Sequence, residues 1–159
     1  MNHPVILFIG WFLLIYHLKV RQLMNICTSF SEINWLAVAV VTVFSFMLGA
    51  FWHSVLFNKA WKEDSNSVYN SENKGNPAKL FGLTGISHLV AVIALAMLIG
   101  HNSTAVCGLL YGLTISLVWV STSIGVTYLF VGRSFRLFMI DAGFYIVFYS
   151  IAGLILAIW

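Results

Sequence analysis

Four long apolar runs constrain this chain more than any other feature: Ile33–Phe57, Leu80–Ile99, Val106–Val131 and Leu137–Trp159. A helix needs about 20 apolar residues to cross a bilayer core of roughly 30 Å, and each run supplies about that many. In hydrocarbon the backbone has no water to bond, so a spanning run must satisfy its own N–H and C=O groups as a helix. The expectation is an all-α fold, an integral membrane four-helix bundle.

Composition supports that solvent. The chain is 60% hydrophobic and 8% charged, whereas soluble domains carry about 25% charged residues. The longest hydrophilic stretch, Asn58–Lys79, has 22 residues. It is too short for an aqueous domain and reads as a solvated loop. One domain over residues 24–159 is expected, preceded by an apolar extension over 1–23.

Charge orients the bundle. Lys59, Lys62, Lys74, Lys79, Arg133 and Arg136 fall on one side, while Met24–Glu32 and Gly100–Ala105 on the other side hold no Lys or Arg. Cytoplasmic connections carry the basic residues of membrane proteins, so the Asn58–Lys79 side is expected inside. The net charge of +3 comes from these flanks. With no basic run or basic–aromatic interleaving, no nucleic-acid partner is expected.

The first 23 residues break the pattern. If Pro4–Val20 also spans, Lys19 and Arg21 fall on the outer side, and 17 residues rise only about 25 Å. Three readings stay open: an additional, tilted N-terminal helix, a signal-type segment, or a natural start at Met24. The last is slightly favoured.

Inside the runs, small and polar residues gather on arcs when each residue is advanced 100°. Asn34, Thr42, Ser45, Gly49, Trp52 and His53 share one arc of the first run. Thr84, Ser87, His88 and Ala91 share one on the second. Thr114, Ser121, Gly125 and Tyr128 lie on one side of the third, with Gly108 and Gly112 on another face. Asp141, Tyr145, Ala152 and Trp159 align on the fourth. Ser45, Gly49, Gly108, Gly112 and Gly125 are the expected helix-packing positions, and the Gly108–Gly112 step could also serve self-association. Trp35, Trp52, Trp61 and Trp159 suit an interfacial belt, and the mid-span Trp119 a packing role. Cys27 and Cys107 read as free thiols.

Titratable side chains in apolar runs are the sharper signal, because they are costly there and usually face a protein interior. His53, His88 and Asp141, with Tyr145 beside Asp141, form a candidate polar cluster in the inner half of the bundle. An Asp–His pair there could relay protons. The alternatives are that Asp141 pairs with Arg136 or Arg133, and that the histidines bond neighbouring backbone or reach headgroups. Glu63 and Asp64, beside Lys62, read as a solvated charge cluster. There is no HExxH, GxSxG, phosphate loop or metal-ligand spacing. No enzyme, cofactor or metal is expected.

Several segments resemble the bacterial membrane family catalogued as domain of unknown function 1761. They are Ile33-Asn34-Trp35-Leu36-Ala37-Val38, then Leu48-Gly49-Ala50-Phe51-Trp52-His53-Ser54 with Phe57-Asn58-Lys59-Ala60-Trp61. The last are Arg136-Leu137-Phe138-Met139-Ile140-Asp141-Ala142-Gly143-Phe144-Tyr145 and Gly153-Leu154-Ile155-Leu156 with Trp159. The resemblance covers roughly Ile33 to Trp159. It implies a four-helix integral membrane protein of a bacterial cytoplasmic (inner) membrane and carries no activity. Similar proteins more often have Tyr at the position of His53 and Asn at that of Asp141, which marks these two as a matched variation.

Two functions follow as expectations. One is a small accessory membrane subunit whose partners are the lipid bilayer and a second copy or another membrane protein. The other is a small transporter or channel handling protons or a solute through His53, His88 and Asp141.

Overall fold

The structure, a computed structural model, describes residues 30–66, 76–100 and 103–159. Calls on Cys27, Lys74 and the first 23 residues lie outside it. The described residues form helices and no strand. Helix α1 is Trp35–Phe51 and runs into a π-helical turn, Trp52–Leu56; α2 is Asn58–Asn66; α3 is Pro77–Ile99. The third long helix comprises α4 (Ala105–Thr114), a π-helical segment (Ile115–Val120) and α5 (Ser121–Val131), and α6 is Phe135–Ile158. Four helices, Trp35–Leu56, Pro77–Ile99, Ala105–Val131 and Phe135–Ile158, are long and apolar enough to cross a membrane.

The ends are set by local chemistry. Asn34 Oδ1 accepts from the N–H groups of Leu36 and Ala37 at 3.1 Å each. Asn76, Thr104 and Ser134 cap α3, α4 and α6 likewise. Each satisfies N–H donors that a helix start leaves open. Pro77 needs no N–H at the first position of α3. Gly132, at φ +69°, closes α5 in the left-handed conformation, and the Arg133 N–H bonds back to the Tyr128 carbonyl at 2.9 Å. That stop leaves three residues to reverse the chain, so α5 and α6 lie antiparallel.

Helix α6 is the centre of the bundle. Of its most apolar 18-residue window 39% is buried, against 17 to 22% in the other three helices. Val38 and Val41 of α1, Val92 and Leu95 of α3, and Phe144, Phe148 and Ala152 of α6 form the core. The other faces are apolar and exposed, as at Leu36, Val43, Met47, Ile86, Val118 and Leu129. Ser45 and Ser116 are buried with their hydroxyls on the Thr42 and Gly112 carbonyls.

Three readings of the sequence need correction. The Asn58–Lys79 stretch is not all loop: it contains α2 and the first turn of α3. Trp119 does not pack; it is 63% exposed. Gly108 and Gly112, read as lying on another face than Gly125 and Tyr128, meet the same helix, α6, as those two do. A π turn advances less per residue than an α turn. Ile115–Val120 therefore takes α5 off the uniform 100° grid.

Glycine makes that contact close. A Cβ on Gly112 would stand 2.0 Å from the Tyr149 carbonyl oxygen, so the two backbones touch there. Such contact gains dispersion and holds helices together even where the surroundings are as apolar as the core. The Gly108–Gly112 step is thus filled from within the chain and is closed to a second copy. Gly49 and Gly125 are in looser contact, with the rings of Phe144 and Phe138.

Candidate functional site

The site forms where the end of α1 crosses α6. Trp52 fixes the crossing: its Nε1–H donates to the Ile140 carbonyl at 3.0 Å, and its ring packs against Phe144 and Phe57. Trp52, partly buried near the end of its long helix, therefore packs against α6 as well. The next residue, His53, reaches the next residue on α6, with Nε2 3.1 Å from Asp141 Oδ1. His53 Nδ1 lies 3.0 Å from the Gly49 carbonyl oxygen, one helical turn back. The other carboxylate oxygen, Oδ2, accepts from the Tyr128 hydroxyl on α5. Three helices thus meet through one carboxylate.

The hydrogen bonds dictate where protons sit. A carbonyl oxygen can only accept, so Nδ1 must carry a hydrogen. Nε2 faces Oδ1 of a carboxylate whose other oxygen, Oδ2, already accepts from a tyrosine. Nε2 and Oδ1 therefore need a proton between them, either as imidazolium with carboxylate or as imidazole with carboxylic acid. Without it two lone pairs oppose each other and the contact is lost. The pair is a one-proton site by geometry. The His53 and Asp141 side chains are 26% and 19% exposed, so the site sits at the edge of the bundle rather than sealed in it.

The expected cluster is only partly assembled. His53 and Asp141 meet. His88 does not join them: its Nδ1 bonds the Thr84 carbonyl of its own helix at 3.1 Å. The rings of Phe144 and Phe148, stacked at 6°, stand against it. Phe144 also packs on His53, 5.3 Å between centroids, so an aromatic ring separates the two histidines. Tyr145 lies one turn beyond Asp141 with its ring on Phe144 and Tyr149, outside the hydrogen-bonded set.

Asp141 does not turn to Arg136. That guanidinium binds Asp64 at 2.7 and 2.9 Å and Glu63 at 3.1 Å on α2, and Ser134 Oγ bonds Asp64 at 2.5 Å. The acidic pair of the polar stretch is thus a docking group rather than a solvated cluster. Arg136, with Ser134 beside it, holds the Asp64 carboxyl down at about 2, against an ordinary 3.8. The docking brings the Trp61 ring edge-on to His53, 5.6 Å between centroids.

Tyr128 and Trp61 were not in the expected cluster. Tyr128 carries a legible signal: it lies six residues before the Ser134 cap and Asp141 seven after it, which puts them level across an antiparallel turn. Trp61 carries none, because its place depends on how α2 folds back.

A cavity of about 500 Å³ opens at the opposite end of the bundle, among Glu32, Asn34, Gly100, Ser103 and Trp159. It is separate from the network. Among the described residues no group of three His, Cys, Asp or Glu side chains is placed to hold a metal.

The family model described as Protein of unknown function (DUF1761) matches residues 36–157. The chain belongs to this family. Within this DUF1761 chain the match takes in all but one residue at the start of the first long helix and one at the end of the fourth, and each member of the His53–Asp141–Tyr128 network. The resemblance read from both ends of the sequence is therefore correct in extent. No functionally curated protein and no solved structure matches the chain. The family description names no activity, so the site itself must carry the functional argument.

Proposed function

We propose that the chain is a multi-pass protein of a bacterial cytoplasmic membrane that takes up and releases a proton at the His53–Asp141 pair. It would do so from the side that carries α2 and the α5–α6 turn. The observation that carries this is the Nε2–Oδ1 contact of 3.1 Å, which exists only with a proton in it. Histidine is the side chain suited to exchange near neutral pH. The contact of α2 with Arg136 puts the basic connections at one end of the bundle, in keeping with a cytoplasmic location for that end.

Other ionisable groups surround the pair on every side. Tyr128 on α5 bonds it, and Arg133 follows in the turn, close enough to act on Tyr128. Tyr145 is next along α6. Glu63 and Asp64 come from α2 and are engaged by Arg136. His88 comes from α3, behind Phe144.

Proton binding on one side fits this arrangement better than conduction through the bundle. Phe144 and Phe148 interrupt the polar groups between His53 and His88. A proton path needs bonded neighbours.

Histidine-selective ¹⁵N NMR of the protein in lipid nanodiscs tests the proposal. His53 should change protonation between about pH 5 and 8, and Asp141→Asn should remove or displace that transition. A His53 signal unchanged over the range would refute it. Proton flux in liposomes, abolished by Asp141→Asn, would extend the role to transport.

A self-associating accessory subunit is the second reading. Trp119 favours it, exposed at mid-span where no interface calls for a tryptophan. Cross-linking in nanodiscs that yields only monomer would remove it.

A further inference from the structure

We infer that α2 is a hinged cover over the proton site, held shut by Arg136. The inference rests on the proton-exchanging reading of His53 and Asp141 and assigns to α2 the control of access to them.

The two ends of the cover are held very differently. At its start the chain leaves the π turn through Phe57, whose backbone (φ −118°, ψ 16°) is not helical. Phe57 packs on Trp52 at 5.0 Å, and Trp52 is bonded to α6, so the pivot is fixed. Beyond it, Asn58 Nδ2 donates to the Ser54 carbonyl at 2.8 Å, and Glu63 and Asp64 farther along α2 bond Arg136 and Ser134. Arg136 and Glu63 are about half exposed, at 52% and 49%, while Asp64, held by two bonds from the same guanidinium, is 16% exposed. Exposed ion pairs are weak because water screens them and competes for the same groups. A nine-residue helix has little stability of its own without docking. The pivot is thus packed, while the latch hangs on one half-exposed guanidinium that water can reach, and a segment held in this way opens locally while the bundle stays folded.

What the latch holds in place is the Trp61 ring against the His53 imidazole. On its other faces His53 is closed by Asp141, Phe144 and its own helix. Trp61 is therefore the side chain that moves aside when α2 lifts. Opening exposes the imidazole to water from that end without disturbing Trp52 or the core.

The test measures access to His53 directly. Full-length protein with Cys27→Ala and Cys107→Ala receives Asp64→Cys and Ser134→Cys, whose side chains replace a contact of 2.5 Å. Oxidation then locks α2 down. The rate at which diethyl pyrocarbonate modifies His53 is followed by peptide mass spectrometry in nanodiscs, with His88 as the internal reference. The locked form should react more slowly than the same protein after reduction. In otherwise unchanged protein Arg136→Gln should speed the reaction by roughly threefold to tenfold, the range expected from losing exposed ion pairs. Trp61→Ala should do so with the latch intact. Equal His53 rates in locked, reduced, Arg136→Gln and Trp61→Ala proteins would overturn the cover. If the rates change as expected while His53 shows no protonation change by NMR, the cover stands and the proton reading falls.

Discussion

Gly108 and Gly153 meet backbone to backbone. A Cβ on Gly108 would lie 2.2 Å from the Gly153 carbonyl oxygen, and one on Gly153 would lie 2.1 Å from that of Gly108. Neither obstacle is a flexible side chain that could yield. Gly108→Ala or Gly153→Ala should therefore force α4 and α6 apart, at a cost of about 1–3 kcal/mol from overpacking. Thermal unfolding in mild detergent should show the loss. Gly82→Ala, with open space around its Cβ position, should show none.

The His53–Asp141 contact should behave as a coupled pair. Asp141→Ala leaves His53 and Tyr128 without their shared acceptor, which should cost about 1–3 kcal/mol. His53→Tyr and Asp141→Asn together should be less harmful than the sum of the two, because a neutral donor–acceptor pair can replace the protonated one. A double-mutant cycle should return a coupling of about 0.5–3 kcal/mol. Strict additivity would mean that the two side chains act independently.

Trp52 acts through one hydrogen bond and one ring. Trp52→Phe keeps most of the ring packing and removes the donor to the Ile140 carbonyl, with an expected loss of roughly 0.5–1.5 kcal/mol. Because Trp52 holds the pivot of α2, amide hydrogen exchange in α2 should rise in this variant as well.

Acid should release α2 before it disturbs the bundle. Asp64 is held at about 2 when docked, chiefly by Arg136 and next by Ser134, and returns to about 3.8 when free. A carboxyl with a lowered folded value stabilises the docked state fully above its free value and loses that effect as pH falls toward the docked one. Exchange of α2 amides should therefore increase between about pH 4 and 2, with α6 still protected. Arg136→Gln should abolish this step by removing its main cause.

The four long helices were legible in the sequence, because a run of apolar residues long enough to span needs no knowledge of its neighbours. The ends of the four long helices agree with the apolar runs to within a few residues. Ser45, Gly49, Gly108, Gly112 and Gly125 could be named as packing positions for a related reason: small side chains record where another backbone comes close. Asp141 and His53 stood out because a titratable group in an apolar run needs a partner.

Which partner each took was not written in any local pattern. Periodicity assumes a uniform turn, which the π segment at Ile115–Val120 breaks, and the 100° grid placed on different faces glycines that all meet α6. Arg136 was the nearest charge to Asp141 along the chain, yet it serves Asp64, because α2 folds back on a single non-helical residue. His88 seemed within reach of the cluster until Phe144 took the space between. By itself the sequence determined four apolar helices and the residues too polar or too small to be left facing outward. Only the tertiary structure decided which of them touch, because contact depends on helix rotation and chain reversal, and those are set by the packing of the whole bundle.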